Sequence, residues 1–149
     1  MRIRLNKKGF TLIELLIVVA IIGIIAAIAI PNLLNAIQRG KQKRTMADMR
    51  AVGTAVEAYA VDNNLYPSGG SNVSAISTYV EPKYIKKVPN VDAWDKAMSY
   101  ISNNQSYTIY SGGKDTNIQD TYTGSTTDFN NDIVFSQGQF IEFPEGAQN

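Results

Sequence analysis

The chain has no cysteine and no histidine among its 149 residues. Those two absences remove imidazole acid/base chemistry, thiol nucleophiles, disulfides and nearly every zinc, copper or iron site. An exported domain of this size often carries disulfides, so its folded part needs another staple, and an oxygen-ligated cation is one such device. Aromatic residues are scarce in the first part of the chain: from Phe10 to Asn63 only Phe10 and Tyr59 are aromatic, which leaves no stack for electron transport. The formal net charge is +1, yet four basic residues, Arg2, Arg4, Lys7 and Lys8, fall in the first nine positions. Without them ten basic side chains face thirteen acidic ones, a balance of −3.

The apolar residues are as uneven as the charge. Leu15 to Ile30 runs sixteen residues without a charged side chain, whereas everything after Pro31 is rich in Asn, Ser, Thr and Gly. Phe10 to Ile30 is 21 residues interrupted by a single charge, Glu14, and as a helix it reaches about 31 Å at 1.5 Å per residue. That matches a hydrocarbon core of about 30 Å. A buried core helix is the weaker reading, because the remaining chain is too polar to wrap it on all sides. A cleaved secretory signal stays open on periodicity alone, since Lys7 and Lys8 resemble a basic n-region and Ala27-Ile28-Ala29 has the form of a cleavage site. Against it stand Glu14 inside the apolar segment and a helical pattern that runs on past Pro31.

The run Lys8-Gly9-Phe10-Thr11-Leu12-Ile13-Glu14-Leu15-Leu16 resembles the prepilin signal of type IV pilins and type II secretion pseudopilins. The resemblance implies cleavage between Gly9 and Phe10 by prepilin peptidase, N-methylation of the new terminal Phe10, and a role for Glu14 as the fifth residue of the mature chain. Physics agrees about Glu14: a carboxylate in a spanning segment costs a few kcal/mol and normally has a nameable partner. Its expected partner is the Phe10 amine of a neighbouring subunit, each ion offsetting the burial of the other. The charge pattern, four basic residues before Phe10 and none between Pro31 and Gln38, favours a cytoplasmic amino end.

The expected organisation is a leader over 1–9, a transmembrane helix over 10–30, an amphipathic stalk over 31–64 and a head over 65–149. In the stalk, Met49, Val52, Val56 and Tyr59 recur at spacings of three and four, with Ala51, Ala55 and Ala58 widening the stripe. Pro31 removes one helical hydrogen bond, and Gly23, Gly40 and Gly53 each weaken the helix by about 1 kcal/mol relative to Ala. In the pilin superfamily the helix near this proline can lose its order in the filament, so Gly23 to Pro31 is the segment expected to melt on assembly. The cluster Arg39, Lys41, Lys43 and Arg44 reads as a solvated face that meets acids such as Asp48 or Glu57 of other subunits, in preference to a nucleic-acid or lipid-headgroup patch.

For the head, Val73 to Tyr79 reads as a short helix, and Met98–Ser102, Tyr107–Ser111 and a hairpin over Ile133–Phe143 as strands. The fold class is α+β: a long N-terminal helix packed on a small antiparallel sheet, type IV pilin-like. Trp94 reads as a core anchor. The loop from Gly112 to Asp132 spans 21 residues and holds Asp115, Asp120, Asp128 and Asp132; loops of that length in compact domains are functional or disordered. It is not an EF-hand, because Ile133 stands where Gly is required and Gln139 where Glu is.

Asn63-Asn64-Leu65-Tyr66-Pro67, Asp92-Ala93-Trp94 with Tyr100, Tyr107 to Gly112 with Asp115, and Asp128 to Ile133 are together similar to the major pseudopilin of type II secretion. That resemblance implies calcium in loop 111–133, held by the Gly112 and Asn117 carbonyls and the side chains of Asp115, Asp128 and Asp132. The pattern departs where the family has Asp-Pro-Trp-Gly-x-Pro-Tyr and this chain has Asp92-Ala93-Trp94-Asp95-Lys96-Ala97-Met98. The implied protein is no enzyme but an inner-membrane, single-pass subunit with a periplasmic head. Its implied partners are copies of itself, prepilin peptidase, minor pseudopilins and the inner-membrane assembly platform, with no nucleic acid. A surface type IV pilin for adhesion, motility or DNA uptake is the competing reading. A hydrolase using Asp128 and Asp132 is weak, since nothing supplies a pocket or a perturbed environment for them.

Overall fold

The computed structural model describes residues 9–119 and 124–145. Arg2, Arg4, Lys7, Lys8 and Asp120 lie outside the described residues. One helix, α1, runs Leu12–Asn63, 52 residues, straight through Pro31. The segment expected to melt on assembly is helical in this single chain. Proline at 31 removes the donor to Ala27, and one residue later the Asn32 side chain donates to the Ile28 carbonyl at 3.1 Å, adding a bond beside the lost one. The helix ends where Asn64 takes a left-handed φ of 57°, a conformation Asn tolerates.

The chain divides into two compact units, Met1–Ile37 and Gln38–Asn149. In the first, every described side chain except the half-buried Ala26 is exposed, including sixteen large apolar residues from Leu12 to Ile37. This is the inverse of a soluble helix and leaves the apolar surface to another solvent or to other chains. The helix is long and apolar enough to cross a membrane.

In the second unit a short 3₁₀ turn (Val73–Ile76) leads into α2 (Ser77–Val80), followed by β1 (Ser99–Ser102), β2 (Tyr107–Ser111), β3 (Ser125–Thr126), β4 (Ile133–Ser136) and β5 (Gln139–Pro144). The sheet order is β1-β2-β4-β5-β3. Three pairings are antiparallel, and β3 joins β5 in parallel. The expected small antiparallel sheet is present, and the parallel edge strand β3 adds to it, being only two residues and too short to leave an alternating pattern in the sequence. Gln137 and Gly138, both at positive φ, turn the β4–β5 hairpin.

The register aligns Tyr100, Ile109, Phe135 and Phe140 in one row across β1, β2, β4 and β5. All four are buried, and they share one core with Met46, Met49, Val52, Ala55 and Val56 of α1. The stalk stripe thus packs the sheet as expected, although Ala51 is exposed and lies outside it. Burial pushes the Tyr100 hydroxyl up to about 12, and that hydroxyl donates to the Pro67 carbonyl at 3.0 Å.

Gly53 has a packing role that helix propensity hides. A β-carbon there would collide with the ring of Phe135, so the missing side chain lets the sheet approach the helix. Gly53→Val is therefore expected to destabilise the head by about 1–3 kcal/mol through overpacking, despite removing a weak helix former. Thermal unfolding followed by the single tryptophan, Trp94, measures it; an unchanged midpoint would mean that Phe135 moves aside freely.

Candidate functional site

Two regions carry the candidate chemistry. The first is the start of α1. Thr11 precedes the helix, its Oγ1 accepts from the Glu14 backbone N–H at 3.2 Å, and the Glu14 carboxylate accepts from both the N–H and the hydroxyl of Thr11 at 2.8 Å. This reciprocal arrangement is a capping box, and Thr11-x-x-Glu14 is its sequence signature. Glu14 thus holds its own helix end in the isolated chain. Gly9 and Phe10 immediately precede it, and Phe10 is exposed.

The second region is the loop between β2 and β4, described over 112–119 and 124–132. Gly113 lies at a φ of 60°, and a β-carbon there would sit 2.5–3.0 Å from the carbonyl oxygens of Asn131, Asn130 and Phe129. Only glycine meets both demands. Lys114 N–H donates to the Phe129 carbonyl at 2.9 Å, pinning the two arms together, and Thr116 N–H closes a turn on Gly112 at 3.0 Å. Asp115 Oδ1 accepts from Asn117 N–H at 3.0 Å.

Asp132 is the informative member. Its Oδ2 accepts from Gln119 N–H at 2.7 Å, whereas its Oδ1 is buried and has no hydrogen-bond partner among the described residues. Burial raises its pKa, and the nearby Asp115 carboxylate raises it further. An orphaned carboxylate oxygen beside a second acid suits a hard, oxygen-seeking cation. The loop therefore brings Asp115 and Asp132 near each other, with Gly112 and Asn117 in the turn that carries Asp115. Asp128 is occupied locally, its Oδ1 accepting from Asn130 N–H at 2.9 Å. Among the described residues no three acidic side chains gather into a metal-holding group.

Residues 4–30 match the model of the prokaryotic N-terminal methylation motif, and residues 32–134, most of the chain, match that of type II secretion system protein G. The chain belongs to the type II secretion protein G family. Its sequence is 34% identical to type II secretion system core protein G of Vibrio cholerae over 70% of this chain and 77% of that protein. It is 32% identical to the core protein G of Pseudomonas aeruginosa (75% and 87%) and 29% identical to that of Klebsiella michiganensis (75% and 87%).

The protein G head has further polar fixtures behind the loop. Asp92 is buried and fully used: Oδ1 accepts from Trp94 N–H at 2.8 Å and Lys96 N–H at 3.0 Å, and Oδ2 accepts from the Ser111 hydroxyl at 2.8 Å. The same turn is tied to α1, with Ala93 N–H donating to Thr45 Oγ1 at 3.1 Å and Trp94 Nε1 to Gln38 Oε1 at 2.9 Å. Trp94 is half-buried against the core. Asp92 thus connects the helix-bound turn to Ser111, the residue before Gly112.

Within the single chain both stalk acids have partners of their own. Asp48 lies 3.8 Å from Arg44 of its own chain. Glu57 accepts a hydrogen bond from the Tyr107 hydroxyl at 2.8 Å, so its carboxylate is committed inside the head. Burial, with Glu57 next to it, drives the Tyr107 pKa well up.

Proposed function

We propose that this chain is a structural subunit of the type II secretion pseudopilus, assembling through its N-terminal helix to drive protein export across the outer membrane. The observation that carries the reading is the exposed apolar stretch from Leu12 to Ile30, whose only charge is Glu14, in a chain of the protein G family. Such a surface supports anchoring in the inner membrane as a single pass, with a cytoplasmic amino end and a periplasmic head. Prepilin peptidase cuts between Gly9 and Phe10 and methylates Phe10. Assembly then draws subunits together by pairing each Glu14 with a neighbour's Phe10 amine, with Pro31 marking where the helix yields. Minor pseudopilins and the inner-membrane platform are the other partners, and no catalytic step is required.

Calcium belongs to the same reading. Gly112, Asp115, Asn117, Asp128 and Asp132 would hold it, and the orphaned Asp132 oxygen is the feature that supports the assignment. The ion supplies loop closure and cancels the repulsion between acids, in place of a disulfide. Holding Asp128 requires it to give up its local bond to Asn130.

Deletion of this gene alone tests the function. Exported enzymes are expected to accumulate in the periplasm while surface filaments remain, and the wild-type gene restores export. Normal export with loss of surface filaments would transfer the chain to the type IV pilin reading.

A further inference from the structure

The hydrogen bonds behind the aspartate loop form a continuous chain to α1. Ser111 is the last residue of β2 and pairs with Ile133 of β4, so it stands where both arms of the loop leave the sheet. Gly112 follows it on one arm, and Asp132 precedes its partner on the other. Its hydroxyl donates to Asp92 Oδ2 at 2.8 Å. The other Asp92 oxygen gathers the N–H groups of Trp94 and Lys96. The Asp92 backbone closes the same turn, its N–H donating to the Lys96 carbonyl at 2.7 Å and its carbonyl accepting from Asp95 N–H at 3.1 Å. From that turn two bonds reach the helix, one to Thr45 and one to Gln38. Every link from Gln38 to Ser111 lies inside the second unit.

Thr45, Asp92 and Ser111 are each no more than 2% exposed, so water is a poor substitute for a lost partner, and in such surroundings each bond polarises the next. None of the three is a candidate cation ligand. They fix the strand end from which the candidates hang. Gly112 has little room to absorb a shift: its carbonyl accepts from Thr116 N–H at 3.0 Å, and a β-carbon on it would lie 2.8 Å from the Thr116 carbonyl carbon. The turn carrying Asp115 therefore moves with Ser111. The other arm starts at Asp132, whose buried Oδ1 has no hydrogen-bond partner among the described residues. Side chains that orient a metal's ligands without touching the metal commonly set its affinity, and here the orienting chain ends on a helix.

We propose that Asp92 and Ser111 are positioning residues for the cation loop, tying its base to Thr45 and Gln38 of α1, so that calcium in the loop and the hold of the 92–96 turn on the helix strengthen each other. The inference rests on the calcium reading given above. It gives two stalk side chains, neither near the loop in sequence, a part in setting the loop's affinity. It also makes the helix through which subunits assemble sensitive to whether the loop is filled.

The test is calorimetric titration of calcium into the mature, full-length protein in detergent after chelator treatment, with amide hydrogen exchange measured before and after. Ser111→Ala and Thr45→Val should each weaken calcium binding about tenfold, whereas Thr45→Ser, which keeps the accepting oxygen, should bind like the wild type. Coupling is reciprocal, so calcium should slow exchange of the Ala93 N–H, which rests on Thr45, by about the same factor. In Ser111→Ala that exchange should no longer respond. Thr108→Val removes a hydroxyl contact to Ser136 elsewhere in β2; it should lower the unfolding temperature and leave calcium affinity unchanged, which separates linkage from general stability. Should the buried variants fail to fold, Gln38→Leu at the half-buried end of the chain decides, with an expected loss of about fivefold. Calcium bound equally by the wild type and by whichever of these variants fold overturns the linkage and leaves the metal site standing. So does an Ala93 N–H indifferent to calcium, or an equal loss of affinity in Thr108→Val. A wild type that takes up no calcium ends the cation reading itself, a separate result.

Discussion

Glu14→Val is expected to leave cleavage at Gly9 and membrane insertion intact and to abolish filament formation. Valine suits an apolar helix, so insertion becomes easier, and the peptide bond to be cut lies outside the altered position. What disappears is the only charge between Phe10 and Ile30. On the proposed pairing, that change would leave each Phe10 amine buried in the filament without a counter-ion. Removing one member of a buried ion pair costs about 3–5 kcal/mol, which is a factor of a hundred or more at every subunit contact.

The capping box supplies a rival explanation that the same experiment must separate. Glu14 also accepts two hydrogen bonds from Thr11, so its loss frays a helix end, at a cost of about 0.5–2 kcal/mol. Glu14→Gln keeps an acceptor for Thr11 but no charge, and Thr11→Ala keeps the charge but loses the cap. If pairing with the neighbour dominates, the first fails to assemble and the second assembles nearly normally. Filament yield after shearing, measured against membrane-inserted subunit, reads all three variants. Assembly restored in Glu14→Gln and lost in Thr11→Ala would assign the residue to the helix end alone.

Much of this was legible in the residues because period and solvent leave strong marks. A long uncharged run can only be lipid-facing or partner-facing when the rest of the chain is polar, and the stripe from Met49 to Val56 had to bury a sheet face. Tyr107–Ser111 and the Gln137-Gly138 turn follow alternation and turn chemistry directly. The missed features depend on contacts between segments far apart in sequence. Gly53 reads as a weak point in a helix until Phe135 is seen against it. Gln42 and Thr45 look like solvated polar residues, and only the fold makes them buried. Strand β3 is too short for any period, and its parallel pairing with β5 is a tertiary event. Thr11 was recoverable, since the capping-box spacing is written in the chain. In the aspartate loop, composition pointed to oxygen ligands, but which acids converge depends on how Gly113 lets the two arms meet.

That loop gives the second large effect, an inversion of stability between two proteins. In chelator, Asp132→Asn is expected to be at least as stable as the wild type, because the amide still accepts from Gln119 N–H but no longer buries a carboxylate charge beside Asp115. With calcium at about a hundred times its dissociation constant, the wild type gains about 2.7 kcal/mol. For a head of this size that is a rise of about 10 °C or more in the unfolding midpoint. Asp132→Asn should lose most of the gain, so the order of the two proteins reverses between the two buffers. Asp115→Asn, altering the acid that Asp132 feels, should lose a comparable share. Asp128→Asn discriminates further: its carboxylate is tied to Asn130 N–H in the single chain, so a full calcium response there would leave the ion to the Asp115 and Asp132 arm. Trp94 fluorescence in the full-length protein reads each midpoint, since its turn reaches Ser111 through Asp92. A wild type indifferent to chelator, or an Asp132→Asn protein that gains as much as the wild type, would end the calcium assignment. The orphaned oxygen would then be a buried cost that the rest of the core offsets.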